Sequence, residues 1–548
     1  MKRGDRYPVH PTLPPEWLVP PEDQPDYLTV PGVELDDAVN LGAALSDEQV
    51  GRGHGDVPAI IEFGGRTLRY ADLAAESEDV ANRLAAAGVR AGHRVAIRSP
   101  NVAAGIVAVI ATWKLGAVVV PVPYIARAAE LDVYFDDTAP HCVVLSANDV
   151  EHAVVVDRAT AAEVAVILEF SRDDDGRNTW SLPPAPARTP AAVPLDSVAI
   201  VWHTGGTTGR PKGCYHTQRR FLLAGHSIGR ALEVEPAQRY AAATPIGHAL
   251  GMIYHTIFTL LHGATVVMIE QFARPEAVVA ALDEHDVHTF TAITASWAAM
   301  LSVLDSGAPA PTALRRGFAM WQSSSAGEVT QRWRERGIVL LNNFGSTAFA
   351  TWVVVPQHQV PQGALGSPAP GYEARVIDPD SGAEVAPGGI GRLAIRGPSG
   401  LTYWRLPERQ RADVRDGWVW VDDLVRDIGE GDLEYLGRSD FMISTSGNKV
   451  APSEVESVLA EHPAVREVVV VGLPDPLRQE AVAAFVVTND PKDATDGLRK
   501  ELQDLVKRQL SPYKYPRILE YLDELPRDHV GKVQPKIVRE RALKEGIK

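Results

Sequence analysis

Thr204-Gly205-Gly206-Thr207-Thr208-Gly209-Arg210-Pro211-Lys212-Gly213 is the segment that decides the fold. It follows an apolar run, Ser197-Val198-Ala199-Ile200-Val201-Trp202, which is typical of a buried strand. Its glycines allow backbone N–H groups to approach a ligand closely, while threonine hydroxyls and Lys212 add hydrogen-bond donors and a positive charge. The segment therefore predicts a phosphate-binding loop at the end of a strand. It is not a Walker A loop, because Pro211 stands where that motif has its second glycine.

The composition indicates a multidomain globular protein. The chain has 548 residues, of which 45% are hydrophobic and 23% charged, so two or more domains are expected. A net charge of −16 argues against binding to nucleic acid or to a membrane surface, which needs a basic face. Cys142 and Cys214 are too few for a disulfide framework or a thiolate zinc site. Since neither a signal-peptide core nor a bilayer-spanning apolar run occurs, we expect a cytoplasmic protein with no membrane partner.

The order of predicted elements indicates an α/β fold. After a predicted hairpin at 59–70, helices between residues 71 and 138 alternate with strands between 94 and 146. Such alternation predicts mostly parallel sheets covered by helices, with ligands beyond the carboxyl ends of the strands, where the glycine loop lies. The pattern breaks in a charged, proline-rich stretch at 171–197 and resumes from 221 to about 355.

The rest of the chain predicts two further units. Strands and turns dominate from 366 to about 438, which indicates a β-rich subdomain. Helices and strands then follow in an α+β unit large enough to fold as a domain. We therefore expect a large N-terminal domain at 1–438 and a small, mobile C-terminal domain at 439–548, with a hinge near Asp440.

Further motifs follow the glycine loop in order. They are Pro245-Ile246-Gly247-His248-Ala249-Leu250-Gly251, Asn343-Phe344-Gly345-Ser346-Thr347, Trp420-Val421-Asp422-Asp423-Leu424, Gly437-Arg438-Ser439-Asp440, Ser446-Gly447-Asn448-Lys449-Val450 and Gly531-Lys532-Val533-Gln534-Pro535-Lys536. With the loop they resemble the adenylate-forming (ANL) superfamily of acyl-CoA ligases, adenylation domains and luciferases, over essentially the whole chain. Within it the sequence resembles benzoate- and 2-aminobenzoate-CoA ligases. The resemblance implies an acid–thiol ligase that uses ATP, Mg²⁺ and CoA, passes through an acyl-adenylate and releases AMP.

The resemblance also implies how the nucleotide is held. Phe344 would stack on adenine with Asn343 at its polar edge, and Asp423 would accept hydrogen bonds from both ribose hydroxyls. Arg438 would contact the ribose or phosphate region, and Thr347 would contact the adenylate phosphate. The other nucleotide-binding positions are Thr204, Gly205, Gly206, Thr207, Thr208, Gly209, Gly327 and Gly345.

Catalysis is assigned by the same resemblance to Lys532, Thr347, Lys212 and His248. Lys532, from the small domain, would stabilise the charge that develops during adenylation. Moving one lysine to and from the nucleotide requires rotation about the hinge, which is Asp440 in this resemblance. After that rotation the channel for the CoA thiol would be lined by Ser446, Gly447 and Lys449.

The acyl pocket would be lined by His248, Tyr254, Trp297, Ser323, Ser325 and Phe349. His248 and Ala249 supply no carboxylate to pair with an α-ammonium group, which argues against an amino-acid substrate. Small residues over 323–327 indicate room for an aromatic or bulky polycyclic acid.

Four positions depart from the family pattern on the nucleotide side. Gly205 replaces a serine, Ala348 a glutamate that helps to hold Mg²⁺, Asp422 a glycine, and Phe441 an acidic residue after the hinge. Alanine offers no oxygen to Mg²⁺, so no protein metal ligand is predicted there, and Asp422 adds negative charge beside the nucleotide. These changes support the hypothesis that adenylation is impaired while a supplied acyl-adenylate is still converted to a thioester. The retained Lys532 argues against it.

Other functions stay open on the sequence alone. The chain could load an acyl group onto a carrier protein instead of CoA, or it could be a degenerate nucleotide-binding protein. If adenylation is impaired, a separate adenylating enzyme would supply the acyl-adenylate, and a homodimer is compatible with any of these functions. The excess of arginine over lysine and the abundant alanine suggest a bacterial source, where specialised metabolism or aromatic degradation is the setting.

Overall fold

A mixed α/β architecture is present in the computed structural model, as the order of elements predicts. The described residues are 13–188, 192–204, 212–320, 326–361, 363–379, 381–438, 441, 443–445, 448–475, 479–510, 512–527 and 533–547. Among them, no helix combines the length and the apolar character needed to cross a membrane. The domain boundary at 438/439 stays a prediction.

The strands are numbered in chain order. Those of the first two sheets are β1 (Pro58–Glu62), β2 (Thr67–Arg69), β3 (Arg94–Arg98), β4 (Val118–Val122), β5 (Cys142–Ser146), β6 (Val166–Arg172), β7 (Asn178–Trp180), β8 (Val198–Thr204), β9 (Lys212–Thr217), β10 (Arg239–Ala242), β11 (Thr265–Met268), β12 (Thr289–Ile293), β13 (Arg316–Met320) and β14 (Val339–Leu341). Those of the third sheet are β15 (Phe344–Ser346), β16 (Thr351–Val355), β17 (Ala364–Pro368), β18 (Glu373–Ile377), β19 (Ile390–Arg396), β20 (Val414–Arg415), β21 (Trp418–Gly429) and β22 (Asp432–Arg438). Those of the fourth are β23 (Ile443–Thr445), β24 (Asn448–Val450), β25 (Val465–Asp475), β26 (Gln479–Thr488) and β27 (Ile518–Tyr521).

The helices cover these sheets and are likewise numbered in chain order. They are α1 (Leu41–Leu45), α2 (Asp47–Gln49), α3 (Tyr70–Ala86), α4 (Ala103–Lys114), α5 (Ala128–Thr138), α6 (His152–Ala161), α7 (Gln218–Ala231), α8 (Ala249–His255), α9 (Pro275–Glu284), α10 (Thr294–Asp305), α11 (Ala326–Arg334), α12 (Pro407–Asp413), α13 (Pro452–Ala460), α14 (Asp496–Gln509) and α15 (Pro535–Lys544).

Two of the sheets are mostly parallel. The first has the order β7-β6-β5-β3-β4-β8-β9, with antiparallel pairs at its two edges, and the second has the order β14-β13-β12-β10-β11-β1-β2. The third, β15-β16-β17-β22-β21-β19-β18 with β20 on β21, is antiparallel throughout. It contains the β-rich region predicted from 366 to about 438 but begins earlier, because β15 and β16 lie in the stretch predicted to continue the helix–strand alternation. The fourth, β24-β23-β26-β25 with β27 beside β26, lies within the predicted C-terminal unit.

Helix α4 shows why the N-terminal half holds together. Its sequence is apolar on every side, and each of its residues is buried between α1 and α3 and the strands β1, β3 and β4. Its last residue, Lys114, is buried but donates to the Ala74 carbonyl at 3.0 Å and pairs with Asp47 at 2.6 Å. A buried cation of this kind is tolerated because its charge and its donors are satisfied.

The glycine loop leaves the first sheet where the sequence predicts it. Strand β8 lies parallel to β4, and β9 returns antiparallel to β8, pairing Thr204 with Lys212. The loop at 205–211 therefore follows the carboxyl end of β8 and precedes an edge strand. Helix α7 then begins behind β9, with the Thr217 side chain accepting from the backbone N–H of Arg220.

Candidate active site

Buried contacts hold the two strand ends that flank the glycine loop. His203, at the end of β8, donates from Nε2 to Asp137 Oδ2 at 2.8 Å, and its side chain is fully buried. Trp404 donates from Nε1 to the Asp137 carbonyl at 3.1 Å. A Cβ at Gly213 would lie 2.8 Å from Trp404 Cβ and 3.0 Å from Asp137 Oδ2, so only glycine fits there. Lys212, which is half-buried, therefore lies next to backbone that these contacts hold in place.

The turn predicted to hold adenine begins at Asn342. Its side chain donates to the Gly363 carbonyl at 3.0 Å and accepts from the Asn343 backbone N–H at 3.0 Å. Phe344, 7% exposed, packs into the core next to it. A Cβ at Gly345 would lie 2.5 Å from the Thr351 carbonyl, so glycine permits the close pairing of β15 with β16. The adenine roles of Asn343, Phe344 and Gly345 stay predictions.

The Thr347 turn is tied to the loop's exit strand. A short helix at Thr347–Phe349 is followed by Ala350 with a left-handed φ of 53°. The Thr347 carbonyl accepts a hydrogen bond from Nε2 of His216, on β9, at 2.8 Å. Burial lowers the pKa of His216 to about 3, so its imidazole is neutral. The sequence analysis missed His216, because its partner is a backbone carbonyl 131 residues away.

The ribose carboxylate lies on an irregular part of β21. Arg392 pairs with Leu424 and Ala394 pairs with Trp420, so β21 carries extra residues between those two pairs. Bulges of this kind redirect side chains next to active sites. Tyr435, on β22, donates from its hydroxyl to Asp423 Oδ1 at 3.1 Å, which fixes the orientation of that carboxylate.

The charge of Asp422 is balanced by an arginine. Its Oδ1 lies 2.9 Å from Arg392 Nη2, and Arg392 Nε donates to the Val421 carbonyl at 3.1 Å. The Arg392 side chain is 17% exposed, so the pair is partly shielded from water. Arg392 therefore offsets the negative charge that Asp422 is expected to add beside the nucleotide, and the nearness of Asp422 to the nucleotide stays a prediction.

The predicted acyl-pocket residues fall into an exposed and a buried group. His248 is exposed at the start of α8, where its Nδ1 accepts from the Leu250 backbone N–H at 3.3 Å. Tyr254 is buried among other aromatic rings, and Trp297 is buried with its Nε1 donating to the Phe318 carbonyl at 3.1 Å. Phe349 is buried as well. Their place in an acyl pocket stays a prediction.

Several predicted site residues lie outside the described residues: Gly205, Gly206, Thr207, Thr208, Gly209, Ser323, Ser325, Asp440, Ser446, Gly447 and Lys532. The backbone is described at Thr204, Arg438 and Lys449, but their side chains are not. Gly327 is exposed near the start of α11.

The position where the family pattern has its Mg²⁺-binding glutamate carries no oxygen ligand in this chain. Ala348 is half-buried against the core and supplies no oxygen. Across the described ranges, no three His, Cys, Asp or Glu side chains cluster closely enough to hold a metal. The absence of a protein ligand for Mg²⁺ at this turn stays a prediction.

The third sheet is joined to the predicted small domain by charged contacts that the sequence analysis missed. Arg426, on β21, lies 3.1 Å from Glu454 on α13 and 2.9 Å from Glu434 on β22. Lys514 pairs with the same Glu454 at 2.8 Å. Ser453 also donates from its hydroxyl to a carbonyl of β22. These contacts hold α13 against β22 and against β21, which carries Asp423.

Comparisons with known proteins match nearly the whole chain. Residues 47–404 match the AMP-binding enzyme family, and residues 454–532 match the AMP-binding enzyme C-terminal domain. A feruloyl-CoA synthase from Amycolatopsis sp. is 30% identical over 501 residues, covering 88% of this chain and 95% of that protein. A 3-hydroxybenzoate–CoA ligase from Aromatoleum sp. (strain CIB) is 30% identical over 536 residues, covering 94% and 100%. The crystal structure of a benzoate CoA ligase from Burkholderia xenovorans LB400 superposes with a TM-score of 0.78 at 26% identity, covering 91% and 100%.

Proposed function

The chain belongs to the family of AMP-binding enzymes, and from this premise we propose that it converts an aromatic carboxylic acid into its CoA thioester through an acyl-adenylate. The observation that carries the proposal is the contact of His216 with the Thr347 carbonyl. It joins the strand that leaves the phosphate loop to the turn predicted to contact the adenylate phosphate. Asp423, predicted to bind the ribose, lies on β21 of the same sheet as that turn.

The two half-reactions place different demands on this site. In the first, a carboxylate oxygen attacks the α-phosphorus of ATP, a P–O bond to the acid forms, and pyrophosphate leaves. In the second, the CoA sulfur attacks the acyl carbon, the thiol proton is lost, and AMP leaves with the electron pair of the broken C–O bond. Lys212 would offset phosphate charge in the first step, while Thr347 and Asp423 would hold the adenylate through both steps.

The first half-reaction is the weaker one in this proposal. Gly205 lacks the hydroxyl and Ala348 the carboxylate that the family pattern supplies around the triphosphate. Loss of one ligand-bearing group costs about 10²–10³ in rate at a site where charge develops. The balanced Asp422–Arg392 pair removes one reason for expecting poor adenylation, and Lys532 is present in the sequence. Slow adenylation, rather than none, is therefore proposed, with a separate enzyme able to supply acyl-adenylate.

An aromatic acid is the proposed substrate class. The relatives named above act on feruloyl, hydroxybenzoyl and benzoyl groups according to their names. In this chain the predicted pocket residue Tyr254 belongs to a buried cluster with Phe258, Phe318 and Trp352, whose ring centroids lie 4.6 to 6.1 Å apart. An apolar surrounding of the predicted pocket supports an aromatic acyl group over a charged one. The reaction is placed in the cytoplasm, where ATP and CoA are available.

The test measures the two half-reactions separately. The full chain is incubated with ATP, Mg²⁺ and ferulic, 3-hydroxybenzoic, benzoic or 2-aminobenzoic acid, and pyrophosphate release is followed. In parallel, the synthetic acyl-adenylates are supplied with CoA and thioester is measured. The expected result is thioester from adenylate at least about tenfold faster than pyrophosphate release. Equal rates would contradict slow adenylation. Transfer of the acyl group to a carrier protein but not to CoA would contradict the proposal that CoA is the acceptor.

A further inference from the structure

The imidazole of His216 is a buried ring that makes one hydrogen bond to the Thr347 turn. It lies on β9, is fully buried, and is packed edge-on against Trp202 with ring centroids 5.7 Å apart. Because a carbonyl can only accept, the 2.8 Å contact with Thr347 requires the proton on Nε2. Nδ1 has no hydrogen-bond partner among the described residues. The single N–H group of the neutral ring therefore donates to the Thr347 carbonyl.

The contact spans two parts of the chain that the substrate must bridge. β9 begins at Lys212, directly after the glycine loop, and pairs with the strand that precedes the loop. The Thr347 turn follows β15 and bends sharply, since Ala350 has a left-handed φ of 53°. Cys214 Sγ also lies 3.9 Å from the Thr347 carbonyl, so two side chains of β9 face this one oxygen.

We propose that His216 is a positioning residue, which fixes the Thr347 turn relative to the phosphate loop so that the adenylate phosphate and its contacts stay in register. The inference rests on the proposed function, because it assumes that Thr347 contacts the adenylate. Neutrality of the ring is part of this role: a charged imidazolium at this depth would be expensive to bury. The neutral N–H group orients the Thr347 carbonyl without placing a positive charge beside the reacting phosphate.

Three substitutions separate the hydrogen bond from the bulk of the ring. His216→Gln keeps an N–H at the reach of Nε2, His216→Asn carries the same amide one methylene shorter, and His216→Phe keeps the ring without the donor. The matched controls are His262→Gln and His262→Phe. His262 is a half-buried histidine whose Nε2 contacts the backbone carbonyl of Gly225 at 3.0 Å. Neither His262 nor Gly225 is assigned to the nucleotide site.

Two measurements are made on each folded full-length variant. The first is affinity for a non-reactive benzoyl-sulfamoyl analogue of the acyl-adenylate, determined by calorimetry. The second is kcat and KM for conversion of benzoyl-adenylate and CoA. His216→Phe and His216→Asn are expected to lose about tenfold to a hundredfold in affinity and in kcat/KM for the adenylate. His216→Gln is expected to stay within about threefold of the wild type, and the KM for CoA to change less than about twofold in all of them.

The outcomes are distinct. Equal losses in the Gln and Asn variants, or equal losses in the His262 controls, would overturn the positioning role, and the Gln/Asn pair decides the matter if the Phe variant does not fold. A wild-type chain that binds the analogue but makes no thioester contradicts the proposed function, while the affinity series still tests His216. Absence of analogue binding by the wild type overturns both.

Discussion

The two ends of the predicted nucleotide site are held by different forces. At the phosphate end, a fully buried and neutral histidine holds the Thr347 turn through one hydrogen bond. At the ribose end, a bulged strand presents two half-buried carboxylates, one bonded to Tyr435 and one paired with Arg392. Buried, uncharged contacts resist salt, whereas half-exposed charges are screened by it. The comparison predicts a phosphate end that fails on acidification and a ribose end that responds to ionic strength.

Asp423→Ala should have the largest effect, at the ribose end. Two hydrogen bonds to a carboxylate are worth about 1.5–3 kcal/mol each, so nucleotide affinity should fall by about two orders of magnitude or more. Calorimetric titration with AMP measures it. Glu434→Ala on the neighbouring strand serves as the control, because Glu434 pairs with Arg426 and has no assigned nucleotide contact. Unchanged AMP affinity in Asp423→Ala would remove the ribose role.

Ala348→Glu should speed adenylation at the phosphate end. It restores an oxygen ligand in the Thr347 turn, so pyrophosphate release with ATP, Mg²⁺ and acid should rise by up to about 10²-fold. Thioester formation from supplied adenylate should change little, because that step does not need the triphosphate. Ala348→Met, which has similar length but no oxygen, is the control. A rise of equal size with Met would show that the metal ligand is not the cause.

Acid should weaken the phosphate end through His216. Its pKa is lowered from an ordinary value of 6.5 to about 3, first by burial and then by the charge of Arg220. The unfolded chain therefore binds a proton that the folded chain refuses between these values, and stability falls as the pH drops below 6.5. From pH 7.5 to pH 5 this one group should remove about 2 kcal/mol. Denaturant unfolding of the wild type and His216→Gln measures it.

The comparison with His216→Gln isolates this contribution. Other buried histidines, such as His255 with a pKa lowered to about 4, add to the acid sensitivity of both proteins equally. The pH dependence of the Gln variant should therefore be shallower than that of the wild type. Parallel curves for the two proteins would show that His216 is not responsible.

The sequence predicted the sheets and the motif residues of the site, but it did not predict the long-range contacts that hold those residues. Alternating apolar strands and helices predicted the parallel sheets, because burial on both faces leaves a continuous hydrophobic signature, and the ordered motifs identified Thr347 and Asp423 as candidates. His216 was not predictable, because its partner is a carbonyl, which every residue carries. The pairing of Asp422 with Arg392 depends on the register of β19 against β21, and a bulge sets that register.

Tyr435→Phe tests how the ribose carboxylate is oriented. The phenol donates one hydrogen bond to Asp423 at 3.1 Å, and a single bond of this type contributes about 1 kcal/mol. The KM for ATP should rise about fivefold, with little change in the melting temperature, because the ring itself is retained. Tyr521→Phe is a matched control, because the Tyr521 hydroxyl donates to the Thr495 carbonyl in the predicted small domain. An equal change in KM in both variants would contradict a specific orienting role.

Arg392→Ala should have the smallest effect, and its dependence on salt is what makes it informative. Removing the guanidinium removes the positive charge that is paired with Asp422 near the predicted nucleotide site, so the KM for ATP should rise about two- to fivefold at low ionic strength. The rise should shrink as salt approaches 0.5 M, since the Debye length falls below about 5 Å. The double variant Asp422→Gly with Arg392→Ala should restore the wild-type KM, because charge balance returns. The ring-retaining Tyr435→Phe change should show no such salt dependence. The guanidinium carbon of Arg392 lies 5.7 Å from the ring centroid of Trp420. A rise in KM that does not depend on salt would therefore mean that Arg392 acts by packing against Trp420. The two ends of the site would then not differ in electrostatics.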